Sequence, residues 1–244
     1  MPGFLSDARA TLVPDLQGRQ GPLPPLLIAL TVVTGLVDAF SYLVLGRVFV
    51  ANMTGNVIFM AFSLAGSRDF SLSASLVALV GFAAGALLGG RLANRFPHHR
   101  GRLLLAAVLV ETALVLFAYA GTEVFADPTS GWVRYLLVAL LGVAMGTQNA
   151  AARRLAVPDL TTTVLTLTIT GIAADGRLAG GADSKAGRRL LSTASMFIGA
   201  LVGGLLALHG SIGLPLLLAG LLLAGCTAAL VACGRSTLPW TQAG

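Results

Sequence analysis

The feature that most constrains this chain is a series of apolar runs, each long enough to cross a lipid bilayer, separated by short segments in which arginines cluster. A helix needs about 20 apolar residues to span the hydrocarbon core. Runs of about this length occupy 23–45, 74–92, 103–120, 132–151, 190–208 and 214–233. Only 11% of the residues are charged, against about 25% in soluble domains. We therefore predict an all-α integral membrane protein.

The net charge of +6 reflects topology rather than a nucleic-acid partner. In a polar protein this basic balance would indicate nucleic-acid binding. Here the basic residues lie in the short connections between apolar runs, and cytoplasmic loops of membrane proteins are enriched in lysine and arginine. We expect the lipid bilayer to be a partner and nucleic acid not to be one.

Two further apolar stretches are interrupted by polar residues. The first, 46–66, contains Asn52, Thr54, Gly55 and Asn56 near its start, and the second lies within 153–175. Their apolar parts, 52–66 and 160–174, would form helices of about 22 Å at 1.5 Å per residue. That length falls short of the hydrocarbon core, so length alone leaves six or eight crossings open.

The distribution of charge favours six crossings. If both short stretches enter and leave on one side, and the N-terminus is inside, all but three of the 16 lysines and arginines become cytoplasmic. Eight crossings divide them almost evenly. We therefore predict about six transmembrane helices plus two short interrupted or re-entrant segments, with both termini cytoplasmic. The alternative is that the short stretches are tilted helices whose polar residues pack against neighbours.

An internal repeat is indicated by matching residues. An offset of 107 positions pairs Gly35 with Gly142 and Arg47 with Arg154, and GALLGG at 85–90 matches GALVGG at 199–204. The predicted organisation is a solvated cytoplasmic tail at 1–22, a first membrane repeat at 23–120, a second at 132–233 and a cytoplasmic tail at 234–244. Three spans per repeat invert the second copy, a plan known from transporters whose solute site lies where interrupted segments meet.

Two acidic residues fall inside predicted spans, Asp38 and Glu111. An ionisable side chain at mid-membrane costs at least about 2.5–3.5 kcal/mol on insertion scales, so it faces protein or water and is a functional candidate by default. For both residues, a proton or cation role stands beside a structural, hydrogen-bonded one.

Other polar residues cluster around the interrupted segments. Asn and Thr favour helix starts and Gly permits a turn, so the NMTGN run is suited to unwinding a helix in the membrane. The predicted path for a solute or proton comprises Asp38, Asn52, Thr54, Gly55, Asn56, Glu111, Gln148, Asn149, Thr161, Thr162 and Thr163. A helix contact rich in small and polar groups is the alternative for NMTGN. Arg153 and Arg154 are predicted topology anchors, or contacts for an anion or lipid headgroup.

Signatures of membrane enzymes are absent from the sequence. It contains no GxSxG, HExxH or phosphate-binding P-loop. His98, His99 and His209 lack metal-ligand spacing, and Cys226 and Cys233 form no CxxC pair. We expect no catalytic residue, no metal and no cofactor.

Three fragments, GLVDAFSYLVLGRVFVANMTGNVIF, AMGTQNAAARRLAVPDLTTTVLT and TGIAAD, together resemble the YoaK family, over about residues 26–231. That family consists of bacterial multi-spanning membrane proteins grouped as a domain of unknown function. The resemblance implies six spans in a bacterial inner (plasma) membrane. It implies no substrate, cofactor or functional residue.

The leading functional hypothesis is a secondary transporter or exporter of an unknown small solute, coupled to protons through Asp38 or Glu111. Transport is then expected to fail in Asp38→Asn and Glu111→Gln. The alternative is a non-transporting scaffold or lipid-binding protein that uses GALLGG and GALVGG as packing faces. The sequence leaves homo-oligomerisation open.

Overall fold

The computed structural model describes residues 4–125, 127–158, 160, 162, 165–175, 180, 186–233 and 239–242. Within these ranges the chain is helical and has no strands apart from isolated bridges. The helices are α1 (Phe4–Leu12), α2 (Leu23–Val44), α3 (Met53–Leu64), α4 (Leu72–Arg95), α5 (Arg100–Val124), α6 (Gly131–Leu155), α7 (Leu165–Ala174), α8 (Ala186–His209) and α9 (Leu214–Cys233). A short 3₁₀ turn follows at Pro239–Thr241.

Six of these helices, α2, α4, α5, α6, α8 and α9, are long and apolar enough to cross a membrane. The prediction of an all-α membrane protein with six long spans is thereby confirmed. One end of the bundle carries the start of α2, the α4–α5 turn, the end of α6 and the start of α8. We call it the basic end, because most arginines lie there.

The segments predicted as tails are more ordered than expected. Helix α1 packs against α8, and the side chain of Thr11 is fully buried. Near the C-terminus, Trp240 is also fully buried, and its ring lies against Gly21 and Gly101 at the basic end. At least part of each predicted tail is therefore packed on the bundle rather than solvated.

Helices α2 and α6 form the interior of the bundle. Their apolar windows are 67% and 61% buried, against 22–39% in the other four spans. The other helices present apolar side chains outward, for example Phe117 on α5 and Phe197 on α8. Such exposed apolar residues are expected on surfaces that face lipid.

Glycines bring the interior helices into close contact with their neighbours. A Cβ on Gly85 of α4 would overlap the carbonyl oxygen of Val143 on α6, and one on Gly199 of α8 would overlap that of Val32 on α2. Small residues of this kind let helix backbones approach closely in lipid, where packing is a main source of helix association. The GALLGG and GALVGG faces are thus occupied by helices of the same chain.

The two close contacts are built alike. A Cβ on Gly142 of α6 would meet Ala78 and Phe82 of α4, and a Cβ on Gly35 of α2 would meet Met196 and Ala200 of α8. The α2–α6 pairs differ by 107 positions and the α4–α8 pairs by 118. The GALLGG and GALVGG motifs differ by 114, and their contacts with Val143 and Val32 relate α2 to α6 by 111 positions.

The first interrupted segment turns back into the bundle directly after α2. Gly46 and Arg47 have φ values of +89° and +56°, and the Arg47 N–H donates to the Tyr42 carbonyl at 2.9 Å, a Schellman-type helix end. The chain then runs alongside α2 to Asn52, the residue before α3. Helix α3 has 12 residues, a length of about 18 Å.

Both ends of this segment lie at the same end of the bundle. Arg47, before α3, forms an ion pair of 2.9 Å with Asp69, which follows α3. Stacked rings also connect the two ends of the segment. The ring centroid of Phe59 in α3 lies 4.6 Å from that of Phe70 and 5.6 Å from that of Phe49. A segment that crossed the membrane would separate Arg47 from Asp69 by about 30 Å. The geometry is that of a re-entrant segment.

The two ends of the second interrupted segment also lie together, in this case at the basic end. Arg188 of α8 donates to the carbonyl of Pro158, before α7, at 3.3 Å. The next residue, Arg189, pairs at 2.8 Å with Asp175, just after α7. With 10 residues, α7 is about 15 Å long. Neighbouring arginines therefore hold the residues on either side of α7.

Impermeant thiol reagents test the first re-entrant segment. In a protein carrying Cys226→Ala and Cys233→Ala, we expect Arg47→Cys and Asp69→Cys to label from one side of the membrane. Arg95→Cys is the control, because α4 separates it from Asp69 by one full span, so it should label from the other side. Labelling of Arg47→Cys and Asp69→Cys from opposite sides would contradict the fold.

Two glycines of one motif test the close helix contact. We expect Gly85→Ala to destabilise the protein by about 1–3 kcal/mol, because the new Cβ overlaps the α6 backbone. Gly90→Ala is the matched control: no atom lies within 4 Å of its Cβ position, and Ala favours a helix over Gly by up to about 1 kcal/mol. Thermal unfolding in detergent should therefore show opposite shifts. Equal shifts would rule out the packing described.

Candidate functional site

Helix α2 carries a buried polar face. Thr31, Thr34, Asp38 and Ser41 follow the spacing that places residues on one side of a helix, and each is at most 3% exposed. Thr31 donates to the carbonyl of Leu27 and Ser41 to that of Asp38, so these two hydroxyls are satisfied within the helix. The Thr34 hydroxyl lies 3.0 Å from the Leu30 carbonyl within α2 and also contacts Gln148, and Asp38 contacts other parts of the chain.

Asp38 holds the segment that runs back along α2. One carboxylate oxygen accepts hydrogen bonds from the backbone N–H groups of Val50 and Ala51, both at 2.9 Å. The other oxygen accepts from the side-chain amide of Asn52. The three donors belong to consecutive residues that are outside any helix and have no water available in a bilayer. Asp38 thus satisfies the backbone groups that a re-entrant segment leaves unpaired.

The NMTGN run is also largely engaged with its own segment. The fully buried Asn56 accepts from the Phe49 N–H at 2.9 Å and donates to the Phe49 carbonyl at 2.6 Å. Gly55 lies so close to the Phe49 ring that a Cβ would clash with it. Thr54 is exposed on the outer face of α3. Gly55 and Asn56 of this run are therefore packed within their own segment, whereas Thr54 faces outward.

A second buried polar cluster joins three spans and the second interrupted segment. We call it the Glu111 cluster; it comprises Glu111 of α5, Gln148 of α6, Thr34 of α2 and Thr162, which precedes α7. The orientation of the Gln148 amide that matches donors with acceptors directs its nitrogen to Glu111, at 2.6 and 3.2 Å from the two carboxylate oxygens. Its oxygen then accepts from Thr34 at 2.9 Å and from Thr162 at 3.1 Å.

The Glu111 cluster is buried near the middle of the membrane. Glu111 and Thr34 are 0% exposed, Thr162 1% and Gln148 2%. Glu111 lies 11 residues after the start of the 25-residue α5, which places it about 16 Å along the helix axis. Helix α9, which carries the buried Cys226, packs against α5.

No lysine or arginine in the described ranges forms an ion pair with Glu111. A negative charge held without a cation in a low-dielectric interior is costly. Among the described residues, its hydrogen bonds come from the Gln148 amide. Asp38 and Glu111 therefore differ in environment: three donors from its own segment surround Asp38, whereas Glu111 has one amide.

The remaining predicted residues are divided between the core and the basic end. Asn149 donates to the Met145 carbonyl within α6 at 2.8 Å. Arg153 and Arg154 are exposed at the end of α6. Thr161 and Thr163 lie outside the described residues. Across the described ranges, no group of three or more His, Cys, Asp or Glu side chains is placed to hold a metal ion.

Sequence reasoning did not include Thr34 or Cys226 among the site residues. Thr34 was detectable from its spacing to Asp38 on the polar face of α2. Cys226 had no signal in the sequence, because its burial depends on how α9 packs against α5.

A family model described as "Protein of unknown function (DUF1275)" matches residues 26–230. The chain belongs to that family. It is also similar to the UPF0700 transmembrane protein YoaK of Bacillus subtilis, with 31% identity over 155 residues that cover 63% of this chain and 68% of the relative. No solved structure matches the chain. The resemblance to the YoaK family is thereby confirmed, and the protein is a multi-pass membrane protein of a family without an assigned function.

Two substitutions separate the charge of Asp38 from its acceptor role. Asp38→Asn keeps an oxygen for Val50 and Ala51, and the Asn52 amide can rotate to accept from the new NH₂ group, so we expect a loss of about 1–2 kcal/mol. Asp38→Ala leaves two backbone N–H groups unpaired, at about 1–3 kcal/mol each.

Thermal unfolding in detergent measures both variants. Asp69→Ala is the control, because it removes an acid of the same segment from an exposed ion pair worth at most about 1 kcal/mol. If Asp38→Asn and Asp38→Ala destabilise the protein equally, Asp38 does not act by accepting these hydrogen bonds.

Proposed function

We propose that this protein is a secondary transporter or exporter of a small polar solute, coupled to protons through Glu111. The observation that carries the proposal is the Glu111 cluster, in which a mid-membrane carboxyl group contacts Gln148 while Thr34 and Thr162 bring both halves of the chain to the same amide. Interrupted segments that meet near the midplane are a recurring feature of solute sites in transporters.

The chemistry of the cluster favours a proton or a cation as the coupling species. Glu111 has no basic partner among the described residues, so its charged form gains stability only when a cation or a donor enters the site. Its protonated form can instead share a hydrogen bond with Gln148. If the charged form of Glu111 is stabilised by an incoming cation or hydrogen-bond donor, binding of that solute favours release of the proton from Glu111.

The close contacts of the interior helices support an inverted repeat. Helix α2 packs on α8 as α6 packs on α4, with the same residue pairs offset by 107 and 118 positions. Each half therefore contributes its first span to the contact with the second span of the other half. In transporters of this plan, access alternates when one group of helices rocks against the other around a fixed site.

We assign Asp38 a positioning role within this function. Its oxygens accept from Val50, Ala51 and Asn52, and these contacts fix the first interrupted segment along α2. Glu111 is then the candidate carrier, and transport is expected to survive Asp38→Asn more fully than Glu111→Gln.

The proposed orientation has the basic end in the cytoplasm. Among the described residues that end includes Arg95, Arg100, Arg154 and Arg188, and cytoplasmic loops are enriched in such residues. Both termini then lie inside a bacterial inner membrane, consistent with the Bacillus subtilis relative being a transmembrane protein.

The rival function is a scaffold that uses its glycine faces to bind partners. Gly85 and Gly89 pack on α6, and Gly199 and Gly203 pack on α2. These faces are filled by the chain itself, which favours the transporter over this form of the scaffold.

The native Cys226 is a reporter for alternating access. In a protein carrying Cys233→Ala, we expect Cys226 to react with a small impermeant methanethiosulfonate reagent in both right-side-out and inside-out vesicles. The reason is that a transporter opens the Glu111 cluster to each side in turn. Ala78→Cys in a protein without Cys226 and Cys233 is the control, because Ala78 is buried at the α4–α6 contact and should stay unreactive.

Proton coupling predicts that the ratio of the two labelling rates changes with pH. Taking the ratio cancels the pH dependence of the thiol reaction itself. Glu111→Gln should abolish the change, whereas Glu123→Gln, the same substitution at an exposed position of α5, should preserve it. A Cys226 that reacts from neither side would mean that the cluster is a closed structural network, and the proposal would fail.

A further inference from the structure

A pocket opens at the basic end, away from the Glu111 cluster. It has a volume of about 380 Å³ and is lined by Arg19, Gln20, Arg100, Arg154, Leu155, Ala156 and Pro158. Three separate parts of the chain meet there: the residues before α2, the start of α5 and the end of α6. We call it the arginine pocket.

Arg100 connects the parts of the chain that line the arginine pocket. Its guanidinium donates to the carbonyl of Arg19 at 3.0 Å and to that of Leu155 at 2.8 Å. The second bond satisfies the Leu155 carbonyl at the end of α6, where the next residue, Ala156, has a φ of +49°. A guanidinium has five N–H donors, so Arg100 keeps donors available for a ligand.

The positive charge of the pocket is uncompensated by its described lining. Arg19 and Arg154 are exposed, and neither forms an ion pair within the described part of the chain. Arg19 and Arg100 are close enough for their charges to repel each other. Helix α5 also begins at Arg100, which places the positive end of its dipole at the pocket. None of the lining residues carries a negative charge.

We propose that the arginine pocket binds a phosphate group, either the headgroup of an anionic lipid or free phosphate. Arginine forks match the oxygens of phosphate, and their weak hydration lowers the cost of removing water from the charge. The pocket lies at the end of the spans, at the level where headgroups surround a membrane protein. Basic pockets between helices at the cytoplasmic end are known to bind such headgroups.

A phosphate in the pocket adds a further link between the parts of the chain that Arg100 already joins. Arg154 and Pro158 flank the connection from α6 to the second interrupted segment. The ligand therefore stabilises the start of the segment that delivers Thr162 to the Glu111 cluster. The role does not depend on transport, because the pocket is a binding site whatever the cluster does.

The test compares two double variants that remove the same charge. Arg19→Gln with Arg154→Gln removes two pocket arginines whose side chains form no ion pair with the described residues. Arg9→Gln with Arg153→Gln is the matched control, because both residues are exposed and neither lines the pocket. The full chain in detergent is titrated with phosphatidylglycerol or phosphatidylcholine, and bound lipid is counted by native mass spectrometry.

A parallel titration uses inorganic phosphate, with the protein in phosphatidylcholine nanodiscs at constant ionic strength, and measures the melting temperature. We expect at least about tenfold weaker binding in the pocket variant, since two charge-assisted contacts are lost, and a change of at most about twofold in the control. Binding of phosphatidylglycerol alone assigns a lipid headgroup, and stabilisation by inorganic phosphate assigns a free anion. Either supports the proposal.

Two results would overturn it. One is an equal loss of phosphatidylglycerol binding in both double variants, which would mean that binding depends on net charge rather than on the pocket. The other is the absence of any preference of the parent protein for phosphatidylglycerol or phosphate. Folding is checked by the melting temperature in phosphatidylcholine without phosphate. If the double variant melts early, the single variants Arg19→Gln and Arg154→Gln replace it, each with an expected loss of about threefold.

Discussion

The need to satisfy backbone N–H groups inside a bilayer governs the first half of this structure. A helix satisfies its own groups, but the residues between α2 and α3 are not helical, and lipid offers them no partner. Asp38 supplies the acceptors for Val50 and Ala51, and Asn56 pairs with both backbone groups of Phe49. Without these side chains the chain would continue as a helix or leave the membrane. The re-entrant geometry therefore depends on two polar residues that at first resemble a binding site.

Glycine contacts determine which polar residues face each other. Gly35 and Gly199 bring α2 against α8, while Thr34 and Asp38 of α2 contact Gln148 and the first interrupted segment. The equivalent contact of α6 with α4 leaves Gln148 to contact Thr34 and Glu111. Each interior helix therefore uses its small residues for close packing and separate polar residues for the buried polar contacts.

The sequence predicted the six spans, the two short segments and the family, because these depend on length, composition and local motifs. It could not predict which polar residues contact each other. Asn52 and Asp38 are separated by 14 positions, and Gln148 and Thr34 by 114, so their contacts exist only once the helices have packed. The repeat shows the same limit. The contacts of Gly85 and Gly199 relate α4 to α8 by 114 positions, whereas those of Gly142 and Gly35 relate them by 118, so the repeat has two registers one helical turn apart.

The two membrane acids looked equivalent in the sequence, and the structure separates them by their donors. Asp38 accepts from three groups of one segment, so removing its charge while keeping an oxygen preserves most of its contacts. Glu111 has the Gln148 amide and no described cation, so its charge is the least compensated in the core. A protein retains an unpaired buried carboxyl group at a cost in stability. That cost is understandable if a proton or solute occupies the site during function, and it has no evident purpose in a scaffold, for which an apolar residue would pack at least as well.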